Sequence, residues 1–139
     1  MMMKVLIIFV ILLITAAGHV DCRLGVGQMN VKTTTVHVEN DLKVDTVLTL
    51  HCRSTNNDIG EKTMHSGQIV EWSFQANPSR TTLYSCDIKW NNVQHKFVIY
   101  DSTKDEATCT SKCMRNISPD GVYFFNEFKN TWEKRITWN

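Results

Sequence analysis

The chain has little charge excess, few backbone breakers and one long apolar run. Its 15 Lys and Arg oppose 14 Asp and Glu. That near-balance argues against a polyanionic partner such as nucleic acid, whose binding is driven by clustered basic charge. Proline occurs twice and glycine six times, and both fall largely between stretches of regular alternation. No charge block, internal repeat or low-complexity tract is present. No Gly-x-Ser-x-Gly elbow, His-Glu-x-x-His helix or phosphate-cradling glycine loop occurs, so the common signatures of hydrolases, metalloproteases and nucleotide enzymes are missing.

The apolar run is Val5 to Ala17, behind Lys4. Its length fits the core of a cleaved secretory signal and falls short of the roughly 18 residues that a spanning helix needs. No later stretch is apolar enough for membrane insertion after signal cleavage. Ala16-Ala17-Gly18 and Val20-Asp21-Cys22 offer cut sites anywhere from 18 to 22. The expected division is therefore a signal peptide over 1–22 and a secreted domain over 23–139. Removing 1–22 takes away Lys4 and Asp21 and leaves 14 basic against 13 acidic residues. It also removes Cys22, the odd one among five cysteines. An odd thiol in a secreted chain otherwise needs a partner or a role.

In an oxidising compartment the default state of Cys52, Cys86, Cys109 and Cys113 is disulfide. Four cysteines allow three pairings. A nested arrangement, Cys52 with Cys113 and Cys86 with Cys109, is preferred. A zinc site built on Cys109, Cys113 and the histidines is the rival, but one Cys-x-x-x-Cys without a second close pair is a weak zinc pattern.

Several segments alternate with a period of two, as half-buried strands do. "TTVHVEN" sets Val36 and Val38 against His37 and Glu39. "VLTLHC" sets Leu48, Leu50 and Cys52 against Thr49 and His51. "QIVEWSF" gathers Val70, Trp72 and Phe74, and "LYSCDIKW" gathers Tyr84, Cys86, Ile88 and Trp90 opposite Ser85, Asp87 and Lys89. "HKFVIYD" is apolar on both sides and reads as a central strand. "GVYFFNEF" reads as the last clear strand, with Val122 and Phe124 on one side. Turn signals at Asn40-Asp41, Ile59-Gly60, Asn77-Pro78, Asn91-Asn92 and Pro119-Asp120-Gly121 separate them. This spacing predicts an all-β fold, a small disulfide-stapled antiparallel β-sandwich. Cys52 and Cys86 share the parity of the core-facing residues, so their bridges belong inside it. A short helix is compatible with "STKDEATCTSKC". The tail "NTWEKRITWN" has no placement.

Taken in order, "VHVENDL", "LTLHCRSTNNDIG", "WSF", "TTLYSCDIKW", "FVIYD", "CTSKC" and "DGVYFF" resemble the plant self-incompatibility S-protein homologue family over nearly the whole exported chain. One position departs from that pattern: Met114 stands where a tryptophan is expected. The resemblance implies a compact β-sandwich with two disulfides. It also implies a secreted, non-catalytic signalling or recognition role, as a ligand for a cell-surface receptor, in self-incompatibility or another form of cell–cell communication. A monomer without a cofactor is expected.

The alternatives are a secreted hydrolase or nuclease using surface histidines, and a carbohydrate-binding defence module using exposed aromatics such as Trp132 and Trp138. His51 and Cys52 are adjacent on a strand and point to opposite faces, so they form no nucleophile–base pair. His37, His51, His65 and His95 lie on different segments with no sign of convergence. Asn56, Asn57, Asp58 and Glu61 supply oxygens but lack calcium-loop spacing. The segment Ser54–Gly67 reads as one long connector, longer than the usual hairpin loop. Loops on a rigid frame gather binding residues. The expected partner-binding residues are Asn57, Asp58, Glu61, Lys62 and His65 of this connector, with Arg80 and Asn92 from neighbouring loops. Asn116-Ile117-Ser118 is an N-glycosylation acceptor, whereas Asn77-Pro78-Ser79 is blocked by its proline. Pro119 directly after the acceptor lowers its use.

Overall fold

The computed structural model describes residues 32–139. The expected signal segment, its expected cut sites and Cys22 lie outside the described residues. Within them the chain forms β1 (Thr33–Asn40), β2 (Leu48–Arg53), β3 (Asp58–Met64), β4 (Ile69–Gln75), β5 (Leu83–Trp90), β6 (Val93–Asp101), the single-turn helix α1 (Ser102–Asp105), β7 (Lys112–Ser118), β8 (Gly121–Asn126) and β9 (Thr131–Thr137). Two sheets result, one of five strands in the order β4-β1-β7-β8-β9 and one of four in the order β3-β2-β5-β6. No helix among the described residues is long and apolar enough to cross a membrane.

Alternation builds the core. Val36 and Val38 of β1, Leu48 and Leu50 of β2, Ile88 of β5, and Val122 and Phe124 of β8 are buried, and each occupies an inward parity position. Burying such a side chain contributes roughly 1.5–3 kcal/mol. Trp72, Phe74, Tyr84 and Tyr100 pack together between the sheets, with ring centroids 4.8 to 5.6 Å apart. Asn40, fully buried, pins the passage from β1 to β2. Its amide donates to the carbonyls of Thr46 and Met64, both at 3.0 Å, and its side-chain oxygen accepts from the Leu42 N–H.

Four expectations need correction. The sandwich is not wholly antiparallel, because β1 and β7 pair in parallel; the β6–α1–β7 passage carries the chain back to β1's starting end. The segment from Ser54 to Gly67 is not one connector, since its middle is β3, paired with β2 from Leu48↔Met64 to Arg53↔Asp58. Gly60 lies inside this strand with φ +80°, at an irregularity where two β3 residues, Ile59 and Gly60, oppose one of β2, Cys52. A left-handed residue at a bulge suits glycine. β6 is an edge strand, not a central one. It reads as apolar on both sides because of a register shift against β5, where Tyr84 pairs Tyr100 and Ser85 pairs Val98; Ile99 and Tyr100 are both buried and Val98 stays exposed. Finally, the disulfides join Cys52 to Cys86 and Cys109 to Cys113, not the nested pairs. Cys52 and Cys86 are direct partners in the β2–β5 ladder, with Cα atoms 4.0 Å apart, while Cys109 and Cys113 close a short loop leading into β7. Both bridges are buried, as parity requires of the first.

Candidate interaction surface

The Cys52–Cys86 bridge organises the outer face of the four-stranded sheet. Because both cysteines point inward, their chain neighbours point outward. The register sets Glu61 opposite His51, His51 opposite Asp87, and Asp87 opposite Lys96. One row of alternating chemistry thus crosses all four strands. The next row runs Asp58, Arg53, Ser85, Val98. His51 Nε2 hydrogen-bonds the Asp58 carboxylate at 2.6 Å, and Arg53 donates to Asp87 at 2.9 Å. The Gly60 N–H donates to Asp58, and this bond, seconded by His51, holds the Asp58 carboxyl below its ordinary value. Solvent screens exposed pairs of this kind, so each contributes little. They orient the face and add only modestly to the fold's stability, so the face tolerates sequence change without unfolding.

The strand directions separate the seven expected contact residues. Asn57 and Arg80 lie in loops at the Arg53 end of the sandwich, with Asp58 beginning β3 there. His65 and Asn92 lie in the turns at the opposite, Asn40 end. Glu61 and Lys62 lie midway along the edge strand β3. Asn57 is tied to the frame: its amide donates to the hydroxyl of buried Tyr84 at 2.8 Å, and its carbonyl accepts from the Ser54 N–H. Arg80 is bound to Glu106 at 3.1 Å. His65 closes a turn with Gln68. Lys62 has the parity of Leu50 but is exposed at the sheet edge, where a charge discourages strand addition. The structure therefore groups Asp58 and Glu61 with His51, Arg53, Asp87 and Lys96, and leaves Asn92 and His65 apart. The sequence signal for His51, Arg53 and Asp87 was parity opposite the cysteines, whereas Lys96 lies on β6, which has no cysteine.

Among the described residues the histidines do not gather. His37 of β1 is bonded to Glu71 on the other sheet's outer face, beside Lys112, and Glu71 is held below its ordinary value chiefly by His37. His95 is stacked on Trp138 with ring centroids 4.2 Å apart. Among the described residues no group of three or more His, Cys, Asp or Glu side chains is placed to hold a metal ion, and the disulfide removes Cys109 and Cys113 from the zinc reading.

One constellation had no counterpart in the sequence reading. Arg115 of β7 is fully buried, and its parity is that of Cys113 and Ile117. Its guanidinium lies 3.4 Å from buried Asp105, donates to the Ile99 carbonyl at 3.0 Å and sits 4.0 Å from the Phe124 ring centre. Burial brings Arg115 down to about 10. Arg135 of β9 reaches the same carboxylate at 2.8 Å, and the Asp101 N–H donates to it as well. This network, with the Cys109–Cys113 bridge, fixes the β6–β7 passage and with it the Arg53 end.

Residues 35–138 match the family described as plant self-incompatibility protein S1. S-protein homolog 29 of Arabidopsis thaliana is 35% identical over 106 residues, spanning 76% of this chain and 78% of that protein. Self-incompatibility protein S1 of Papaver rhoeas is 33% identical over 87 residues, spanning 60% and 62%. A solved structure of an SPH (Self-Incompatibility Protein Homologue) protein superposes with a TM-score of 0.56 at 17% identity, over 79% of this chain and 93% of that one. It is described as coming from a widespread family of small, highly stable, secreted proteins from plants. The chain belongs to the plant self-incompatibility protein S1 family.

Proposed function

We propose that this member of the family is a secreted, non-catalytic recognition protein. It acts as a ligand for a cell-surface receptor and engages it through the outer face of the four-stranded sheet, around Asp58, Glu61, His51, Arg53, Asp87 and Lys96. The observation that carries the reading is the Glu61–His51–Asp87–Lys96 row, mounted on the buried Cys52–Cys86 bridge. A surface of alternating sign favours one complementary partner and register over others, which is how charge supplies specificity. The frame beneath it is rigid, so little ordering cost is incurred on binding. Charged residues along the edge strands, Lys62 on β3 and Lys134 on β9, support a monomer.

Export is the compartment in which both disulfides form readily, and the Val5–Ala17 run supports it. Likeness to a named self-incompatibility protein supports cell–cell communication as the process. Labelled protein cross-linked to intact plant cells tests the reading. Capture of one discrete membrane protein, competed by excess unlabelled ligand, is the expected result. Labelling that excess ligand does not compete would contradict it.

A further inference from the structure

The outer face of the five-stranded sheet carries a different chemistry. A shallow depression of about 320 Å3 is lined by Asp41, Asn116, Ser118, Asp120, Tyr123 and Trp132. Its walls are aromatic: Trp132 is 41% exposed and packs edge-on against Phe125, with ring centres 5.1 Å apart. Its rim is acidic. Asp120 accepts from the Tyr123 hydroxyl at 2.8 Å and from Lys134 at 3.3 Å, which fixes the tyrosine and holds the Asp120 carboxyl below its ordinary value. Asn116 stands directly beside Tyr123 in the β7–β8 ladder. Asn116 and Ser118 are also the first and third residues of the acceptor triplet Asn116-Ile117-Ser118.

We propose that Asn116 carries an N-linked glycan whose first sugars lie in this depression, against Trp132 and Tyr123. A sugar ring has an apolar C–H face and a rim of hydroxyls. An exposed tryptophan or tyrosine offers a flat apolar surface with a wet edge, and the carboxylates of Asp41 and Asp120 are acceptors for the hydroxyl rim. A volume of about 320 Å3 is at the lower end of ligand sites, about 300–1,000 Å3, and suits one or two rings. The occupant is named by the acceptor itself, because the linking nitrogen is part of the lining. The linkage forms when the Asn116 amide nitrogen attacks the anomeric carbon of a diphosphate-activated oligosaccharide bound by the cell's transferase. The nitrogen–carbon bond forms, the carbon–oxygen bond to the diphosphate breaks, the diphosphate leaves with that electron pair, and one amide proton passes to base. The chain then presents one sheet face covered by sugar and the other, with its charge row, open to a partner. The inference rests on the export reading only for the meeting of acceptor and transferase.

The full chain, with its leader, is expressed in plant cells as wild type, Asn116→Gln, Trp132→Ala and the double variant, and both medium and cells are collected. The wild type is expected to lose mass on enzymatic deglycosylation, and Asn116→Gln is not. The glycan-bearing form is expected to melt about 4 °C above Asn116→Gln, with that increment gone in the Trp132→Ala background. Quenching of tryptophan fluorescence by acrylamide is expected to be weaker in the glycan-bearing form than in Asn116→Gln, a readout that does not depend on how Trp132→Ala folds. A wild-type chain without glycan overturns the inference, as does a glycan that changes neither quenching nor melting. A glycan-bearing chain retained in the cells, with reduced quenching, supports the inference while contradicting export.

Discussion

Cys52 and Cys86 face each other across β2 and β5, buried and with Cα atoms 4.0 Å apart, and this inward pairing places His51 beside Asp87 on the opposite, solvent face. The core staple and the charge row are two sides of one ladder.

The two bridges differ in what they close. Cys52–Cys86 spans 34 residues of sequence and Cys109–Cys113 spans four. Restriction of the unfolded chain then predicts losses of about 4 kcal/mol for Cys52→Ala with Cys86→Ala, and about 2 kcal/mol for Cys109→Ala with Cys113→Ala. Denaturant titration of the purified double variants measures both, and a reversed order would contradict this ranking.

Buried and exposed charges are predicted to behave oppositely. Arg115→Ala leaves Asp105 in the core with Arg135 as its remaining charged partner and is expected to cost about 3–5 kcal/mol. Arg53→Ala removes an exposed partner of Asp87 and is expected to stay within about 1 kcal/mol. Denaturation midpoints of the two variants at neutral pH provide the comparison.

Acid is predicted to weaken the fold through particular carboxylates. Asp58, Glu71 and Asp120 are each held below ordinary values of 3.8, 4.5 and 3.8, by Gly60 and His51, by His37 and Lys112, and by Tyr123 and Lys134. A lowered carboxyl stabilises the folded state fully above its unfolded value, and that contribution disappears as pH falls through the folded one. Stability is therefore expected to drop as pH falls below 4.5 and on past 3.8. Combining Asp58→Asn, Glu71→Gln and Asp120→Asn should make the drop shallower. Urea midpoints measured from pH 7 to 2 would show it, and an unchanged slope would remove these groups from the account.

What the sequence disclosed follows burial. β1, β2, β5 and β8 each have one buried face and β4 a half-buried one, and their alternation is plain. β3 and β9 are edge strands with mostly exposed side chains, so "DIGEKTM" and "TWEKRIT" carry no such pattern. β7 was hidden by Arg115, a charge at an inward position that only a partner from α1 explains. The cysteine pairing depended on strand order, since β2 lies beside β5, with β3 on its other side and β4 in the other sheet, and local sequence does not encode that. The same holds for the contact residues. Asn57 and Asn92 look alike as loop asparagines, and only the strand directions send them to opposite ends. Trp138 looked as exposed as Trp132, yet it stacks on His95 and donates its indole N–H to the Ser118 carbonyl at 2.8 Å.

Gly121 opens β8 with φ +153°, and a side chain there would run into the backbone carbonyl of Ile136. Gly121→Ala is expected to pull β9 from the sheet edge, costing about 1–3 kcal/mol. Faster hydrogen exchange at the β8–β9 amides, with β2–β5 unchanged, would mark the effect as local.

The most direct test is the affinity of the purified, disulfide-intact protein for receptor-bearing plant cells, compared with a variant combining Glu61→Lys and Lys96→Glu. These changes reverse both ends of the charge row on exposed positions, so melting should be nearly unaltered. The account predicts at least about a tenfold weaker Kd, equal to about 1.4 kcal/mol. Unchanged affinity in an equally stable variant would show that the partner binds elsewhere.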